Sequence, residues 1–498
     1  MTAMKSQTKS NIAVSILYQL TAAVCSLILP RYILMTFGSD VNGVLQSIGQ
    51  LLNYTVLMEC GVGGLITASF YKPLADGDRE YVSDIFNNAR TFFNRISYVY
   101  IALTVILAFT VKLYIHTEFD FGYVCTLVII LGTGYYFSYY FAMAQRLLMK
   151  ADQKLRIVQA TQSITLICNT VVCIMAIKLG AGIHVVKILS ALVLLANPIV
   201  FRIYVKRHYD IRKTLYEKNR SFPRKSDGMV HHIAFFIHMN TDIVLISAVC
   251  GTKEVSVYSV YNSVICAIEN FFTAVSESVS AALGSLIAKE QQDGLKASFE
   301  FYQIVNTAAA TFVCAEEAIM ILPFVKMYTS GVTDAHYIRP LFAYLMIAAQ
   351  WFFCIRLPYN NIINSAGHYR QTKLGAYLEV IFNIGISVPA VFRFGIVGAA
   401  FGTLVAMAIR AAYMAWYLSQ NLLYRKVRYF VRDIGLNLLL AVAVVWAASR
   451  ISIPSDSPIR WILYASGIGI GIVAILVLFN LAVYRTTVFS ALKKMREK

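Results

Sequence analysis

The sequence predicts an all-α integral membrane protein with 14 transmembrane helices, arranged as two parallel six-helix lobes plus two C-terminal helices. Three observations carry that expectation. Of 498 residues, 58% are hydrophobic and only 14% charged, whereas soluble domains hold about 25% charged residues. The apolar residues form continuous runs and do not alternate, which selects helices over a membrane barrel. A self-similarity also recurs at nearly one offset along the chain. With a mean hydropathy of +0.62, these features exclude a soluble multidomain enzyme, a disordered chain and a nucleic-acid-binding protein.

A hydrocarbon core of ~30 Å needs about 20 mostly apolar residues per helix. The stretches that qualify run 11–35, 43–68, 92–114, 121–144, 157–177, 181–201, 231–250, 256–288, 301–325, 340–364, 374–392, 396–420, 433–449 and 461–484. The first has the basic start of a signal peptide but is too long and lacks a small-x-small cleavage site, so it is read as a retained helix.

Charge orients these spans. With Lys5 and Lys9 inside, the outer side carries eight of the 44 basic residues and four more lie within spans, leaving 32 for the inner side. Nine of those fall between Arg202 and Val230. Lys and Arg accumulate in cytoplasmic loops, so the net charge of +18 reports topology, with both termini cytoplasmic. The nine cysteines are scattered without metal-type spacing and read as small buried hydrophobes; no metal is expected.

The repeat pairs Gly38-Ser39-Asp40-Val41 with Gly251-Thr252-Lys253-Glu254, an offset of 213. Asp76-Gly77 and Asp293-Gly294 differ by 217, Met149 to Asp152 and Asn364 to Gly367 by 215, and Asn169 and Asn383 by 214. Six spans per half make the repeat parallel, the plan of many secondary transporters. The expected divisions are an N-lobe at 1–205, a basic cytoplasmic linker at 206–230, a C-lobe at 231–424, and helices 13–14 with the tail at 425–498.

The second and eighth spans each carry a polar stripe. Gln46, Gln50 and Asn53 mark one; Asn262, Glu269, Thr273 and Ser276 mark the other, and Asn262 and Glu269 lie 216 residues beyond Gln46 and Asn53. A polar stripe in lipid must face protein or water, so it lines a cavity or packs helices closely. Ionisable groups inside spans cost ~2.5–3.5 kcal/mol each and mark pathways or pairs. Arg31 follows Pro30 and Arg356 precedes Pro358, where the helix is bent and its backbone hydratable. With Arg410, these guanidiniums suit bidentate capture of a phosphate or diphosphate, or pair with carboxylates such as Glu59 or Asp242. Glu59, Asp242 and Glu277 are coupling candidates because an intramembrane carboxylate takes a proton or a cation. Lys187 and Glu379 lie near span ends and are expected to snorkel. Glu316 and Glu317 point about 100° apart on a helix, so one of them faces another helix. His231, His232 and His238 read as interface residues. Tyr135 and Tyr139, one helical turn apart, present two rings able to stack on sugars.

No phosphate loop of the GxxxxGK[ST] type occurs, so hydrolysis of ATP is not expected, and no outer loop is long enough for a catalytic domain.

Several segments together resemble a known family: Leu29-Pro30-Arg31-Tyr32 with Phe37-Gly38; Asn240-Thr241-Asp242 followed by Val255-Ser256-Val257-Tyr258-Ser259-Val260-Tyr261-Asn262; and Asn364-Ser365-Ala366-Gly367. The chain is similar to the polysaccharide (Wzx-type) flippases of the multidrug/oligosaccharidyl-lipid/polysaccharide exporter superfamily, whose relatives include MurJ and the MATE exporters. The resemblance implies alternating access, with translocation of an undecaprenyl-diphosphate-linked oligosaccharide across the bacterial cytoplasmic membrane for polysaccharide biosynthesis. It implies a non-enzymatic monomer without cofactor beyond a coupling Na+ or H+, associating with a polysaccharide polymerase and glycosyltransferases. Cavity arginines would hold the diphosphate, which points to Arg31 and Arg356, and the last two spans would cradle the lipid tail. The alternative is a cation-coupled, MATE-like exporter of small organic molecules.

Overall fold

Backbone groups in hydrocarbon have no water to bond, so each segment must satisfy them internally. The computed structural model describes residues 2–54, 57, 62–212, 226–288 and 292–485, and these contain sixteen α-helices and no strand. In chain order they are α1 (Thr2–Asn53), α2 (Val62–Asp76), α3 (Arg79–Tyr114), α4 (Phe121–Phe141), α5 (Met143–Ala151), α6 (Leu155–Lys178), α7 (Ile183–Leu194) and α8 (Ala196–His208). Then follow α9 (Ser226–Val249), α10 (Thr252–Ala288), α11 (Gln292–Tyr328), α12 (Pro340–Ser365), α13 (Lys373–Phe394), α14 (Ile396–Asn421), α15 (Arg428–Ala448) and α16 (Pro458–Val483).

The described part of every expected span is helical and in the expected order. The surplus helices come from local breaks. Pro198 cannot donate to the carbonyl of Leu194 and crowds it, and there the sixth span divides into α7 and α8. The fourth divides at Ala142 into α4 and α5. Conversely, α1 runs from the first span into the second across Gly38, whose φ of 85° and ψ of 175° turn the chain. Among the described residues, twelve helical stretches are long and apolar enough to cross a membrane. The two spans outside that set are the second, shared by α1 and α2, and the eighth, α10. They are the two that carry the polar stripes.

Two units are distinguishable. Unit 1 comprises Met1–Phe236 with Ser247–Ser259, and unit 2 comprises Ile237–Ile246 with Val260–Lys498. In unit 1, Phe70, Phe86, Phe93, Leu148 and Phe201 form a core where α2, α3, α5 and α8 meet. A second core joins Val44, Ile48, Tyr100, Leu127 and Ile183. The start of α10 closes on α1 here: Asn42 donates to Ser256 at 2.7 Å, and Asp40 accepts from Thr252.

In unit 2, α14 packs on both α12 and α13. A Cβ at Gly402 would overlap Ser387 on α13, so the missing side chain sets how closely these helices approach. Phe299, Tyr359, Ile363 and Met414 fill the principal core. Ala315 on α11 packs with Ile472 and Leu476, joining α16 to the bundle. Large apolar side chains such as Phe109, Leu439 and Ile470 remain 69–73% exposed. Such a surface is stable only against lipid or another apolar phase.

Candidate functional site

The densest buried charge in unit 2 is built around a proline. Pro358 in α12 has no N–H, which leaves the carbonyl of Cys354 without its helical donor. Asn306 of α11 supplies one, its Nδ2 donating at 2.9 Å. Arg356 sits between these two residues, on the bent turn. Its Nη1 donates to Glu379 Oε1 of α13 at 3.2 Å, while Oε2 of the same carboxylate lies 3.4 Å from Arg410 Nε of α14. Glu379 is 3% exposed. Two guanidiniums thus share one carboxylate, a triad with a positive surplus. Glu379 therefore does not snorkel: the α13–α14 packing places it against two arginines, and its charge is compensated in the interior. His238 of α9 is likewise not an interface residue. It is buried within electrostatic range of Glu379 and Arg356, and its Nδ1 makes no hydrogen bond among the described residues.

One helical turn further on, Asp242 accepts a hydrogen bond from Thr403 Oγ1 at 2.7 Å, and Thr403 in turn accepts from Asn383 Nδ2 at 3.2 Å. Asn383 Oδ1 and Ser387 Oγ are buried without a hydrogen-bond partner among the described residues. This gathers a carboxylate and three neutral oxygens on α9, α13 and α14.

On the eighth-span stripe, Glu269 is buried and interacts electrostatically with Arg356. Ser276 accepts from Asn361 Nδ2 of α12 at 2.8 Å, a close-packing contact. Asn262 and Thr273 are half-buried, and Glu277 is exposed. Nearby, Glu317 of α11 and Gln350 of α12 face one another, both buried. Neither makes a well-formed side-chain hydrogen bond among the described residues.

In unit 1, Arg31 is half-buried on α1. Gln46 and Gln50 are half-buried too, and Gln50 Oε1 lacks a hydrogen-bond partner among the described residues. Asn53 Oδ1 accepts from the hydroxyl of Tyr135 at 3.0 Å. The two tyrosines proposed to stack on sugar instead stack on Tyr100, with centroids 5.9 and 6.1 Å away, and Tyr139 is buried. Their rings are occupied by a protein partner because α3 and α4 pack along this face. Glu59 lies outside the described residues.

The structure thus brings Arg356, Arg410, Glu269 and Asp242 into one unit with three polar residues that the sequence did not single out as functional: Glu379, His238 and Gln350. Asn306 was also missed, although Pro358 signals that a donor for the freed carbonyl must exist. Among the described residues no group of three His, Cys, Asp or Glu side chains is placed to hold a metal ion.

The fold is that of a known class of membrane proteins. Superposed on the lipid II flippase MurJ in an inward closed conformation, the chain gives a TM-score of 0.70 at 12% identity, covering 96% of this chain and 99% of that one. An inward-facing multidrug resistance MATE transporter of the MOP superfamily gives 0.60 at 11% identity, covering 88% and 96%. A MOP superfamily transporter from Pyrococcus furiosus gives 0.52 at 12%, covering 84% and 95%. At such identities the likeness defines the fold. No protein-family model and no curated protein matches the sequence.

Proposed function

We propose that the chain is a flippase that moves an undecaprenyl-diphosphate-linked oligosaccharide from the inner to the outer leaflet by alternating access, for polysaccharide biosynthesis. The observation that carries this reading is the Arg356–Glu379–Arg410 triad, set in a fold like that of a lipid II flippase. A diphosphate binds guanidinium bidentately. It displaces Glu379 from Arg356, while Arg410 keeps the released carboxylate neutralised. Arg31 of unit 1 is a further diphosphate candidate.

The lipid tail has a place as well. An apolar groove of about 660 Å³ runs between α15 and α16, lined by Val444, Ala448, Ile451, Leu463, Ile468 and Ile472. Asp242 serves as the coupling group. Its carboxylate, Thr403, and the buried oxygens of Asn383 and Ser387 make an all-oxygen set suited to Na+ or H+. The protein works as a monomer in the bacterial cytoplasmic membrane with both termini inside, beside a polymerase and glycosyltransferases.

The test is flipping of a fluorescent lipid-diphosphate-linked glycan by the full chain in liposomes. Arg356→Gln and Arg31→Glu are each expected to abolish it; full flipping by both variants would overturn the diphosphate role. The second reading, a cation-coupled exporter of small organic molecules, is favoured by the Glu317 carboxylate, which no hydrogen-bond donor satisfies among the described residues. Transport of a cationic dye, with no flipping, would establish it instead.

A further inference from the structure

Unit 1 holds a cavity of about 710 Å³ whose lining includes none of the candidate site residues described above. It opens where α8 ends and α3 begins. Its rim carries Arg79, Arg90, Arg202, Lys206, Arg207 and His208. Two acids share the rim, Asp78 and Asp210, and both are engaged elsewhere. Asp78 caps α3 by accepting from the Tyr81 N–H at 2.9 Å, and Asp210 pairs with Arg212 at 3.1 Å. Among the described residues none of the five arginine and lysine side chains of the rim forms an ion pair. The floor is apolar, contributed by Val82, Phe86, Phe141 and Val205.

Two observations make this a built site and not a patch of loop cations. First, Gln145 of α5 lines the cavity although it is only 8% exposed, and its amide has no hydrogen bond among the described residues. The described residues supply this amide no partner, and it faces the cavity, where a ligand can complete it. Second, the wall is stitched in place. Tyr209 donates to Asp152 Oδ2 at 2.6 Å, Asn87 Nδ2 donates to the Arg212 carbonyl at 2.8 Å, and the Arg212 N–H donates to Ser83 Oγ at 3.2 Å.

We propose that this cavity binds the phosphate of an anionic headgroup at the membrane surface, its oxygens taken by Arg90, Arg202 and Lys206 and by the Gln145 amide, with the apolar floor under the adjoining glycerol or acyl carbons. Cationic pockets between spanning helices on the inner side are suited to such headgroups, each cation contributing about fivefold in affinity. The site is independent of what unit 2 carries. Phosphate chemistry has two sources here, a membrane phospholipid or a free phosphate, and the same experiment separates them.

Native mass spectrometry and thermal unfolding of the full chain in neutral detergent would be followed while adding phosphatidylglycerol, phosphatidylcholine or inorganic diphosphate. Retention and stabilisation by phosphatidylglycerol alone are expected and assign a lipid headgroup. Stabilisation by diphosphate as well keeps the phosphate site and assigns free phosphate as its second ligand. Arg90→Gln/Arg202→Gln is expected to weaken binding about 25-fold, at about fivefold per cation, and Gln145→Leu about fivefold for the lost hydrogen bond. Lys150→Gln, which removes an equal charge from an exposed position outside the cavity lining, is the control and leaves binding unchanged. The proposal is overturned if no phosphate compound binds, if phosphatidylcholine binds equally, or if Lys150→Gln weakens binding as much as Arg202→Gln.

Discussion

Arg356 and Glu379 meet at 3.2 Å in the interior of unit 2, and the carboxylate is not exclusive to that arginine, because Arg410 lies 3.4 Å from its other oxygen. This sharing makes the two partners unequal. Arg356→Met leaves Glu379 still paired, whereas Glu379→Gln removes from both guanidiniums the carboxylate they share. Breaking a buried pair costs about 3–5 kcal/mol when a charge is stranded. Glu379→Gln is therefore expected at the upper end, and Arg356→Met well below it. Thermal unfolding of the purified variants in one detergent gives the order. A greater loss in Arg356→Met would mean that Arg410 does not hold the carboxylate.

This asymmetry also marks where the sequence stopped being legible. The spans were readable because lipid forces continuous apolar runs, and the described parts of all of them are helical. The divisions at Ala142 and Leu195 were not expected, although Pro198 announces the second. Arg356 beside Pro358 stood out on the same grounds. Glu379 did not, because a carboxylate about five residues from a span end has a cheap route to water by extending its side chain. Only the packing of α13 on α14, set by residues such as Gly402, closes that route. Tyr135 and Tyr139 erred the other way: their spacing fixes a shared face but not whether a third ring, Tyr100, already covers it.

Asp242 is expected to separate fold from coupling. Asn at this position still accepts the Thr403 hydrogen bond but carries no charge to exchange for a proton or cation. Asp242→Asn should therefore keep the unfolding temperature of the parent and lose transport driven by a Na+ or pH gradient in liposomes. Gradient-driven transport at the parental rate would remove Asp242 from the coupling role.

Asp433 anchors the last two helices. It accepts from Arg432 at 3.0 Å, from the Tyr484 hydroxyl at 2.8 Å and from Gln303 of α11 at 3.1 Å. Hydrogen bonds to a charged group contribute about 1.5–3 kcal/mol each, and their loss here falls on the attachment of α15 and α16. In Asp433→Ala, hydrogen exchange should accelerate in α15 and α16 while α13 and α14 stay protected. Uniform acceleration would show that Asp433 supports the whole unit instead.

Tyr209 gives a pH signature outside the spans. Burial and the Asp152 carboxylate it donates to push its phenol well above the ordinary tyrosine value. The neutral form is thus favoured in the folded state. Its contribution is complete below the unfolded pKa of about 10 and declines as pH rises beyond it. The parent should be more stable than Tyr209→Phe by about 1.5–3 kcal/mol at neutral pH, with the gap narrowing above pH ~10. A gap that is constant from neutral to alkaline pH would show that the hydroxyl acts by packing alone.

Gly38 is held at φ 85° and ψ 175° between the first and second spans. That region is open essentially to glycine alone, and other residues there cost about 1–3 kcal/mol. Asparagine tolerates the left-handed helical region near φ ~57° and ψ ~47°, which is a different place on the map. Gly38→Ala and Gly38→Asn are therefore expected to lower stability by similar amounts, read as unfolding temperature and as yield of folded protein. A marked advantage of Asn over Ala would mean that the turn relaxes to a left-handed helical conformation in the membrane, and that the extended geometry at Gly38 is not what joins the first two spans.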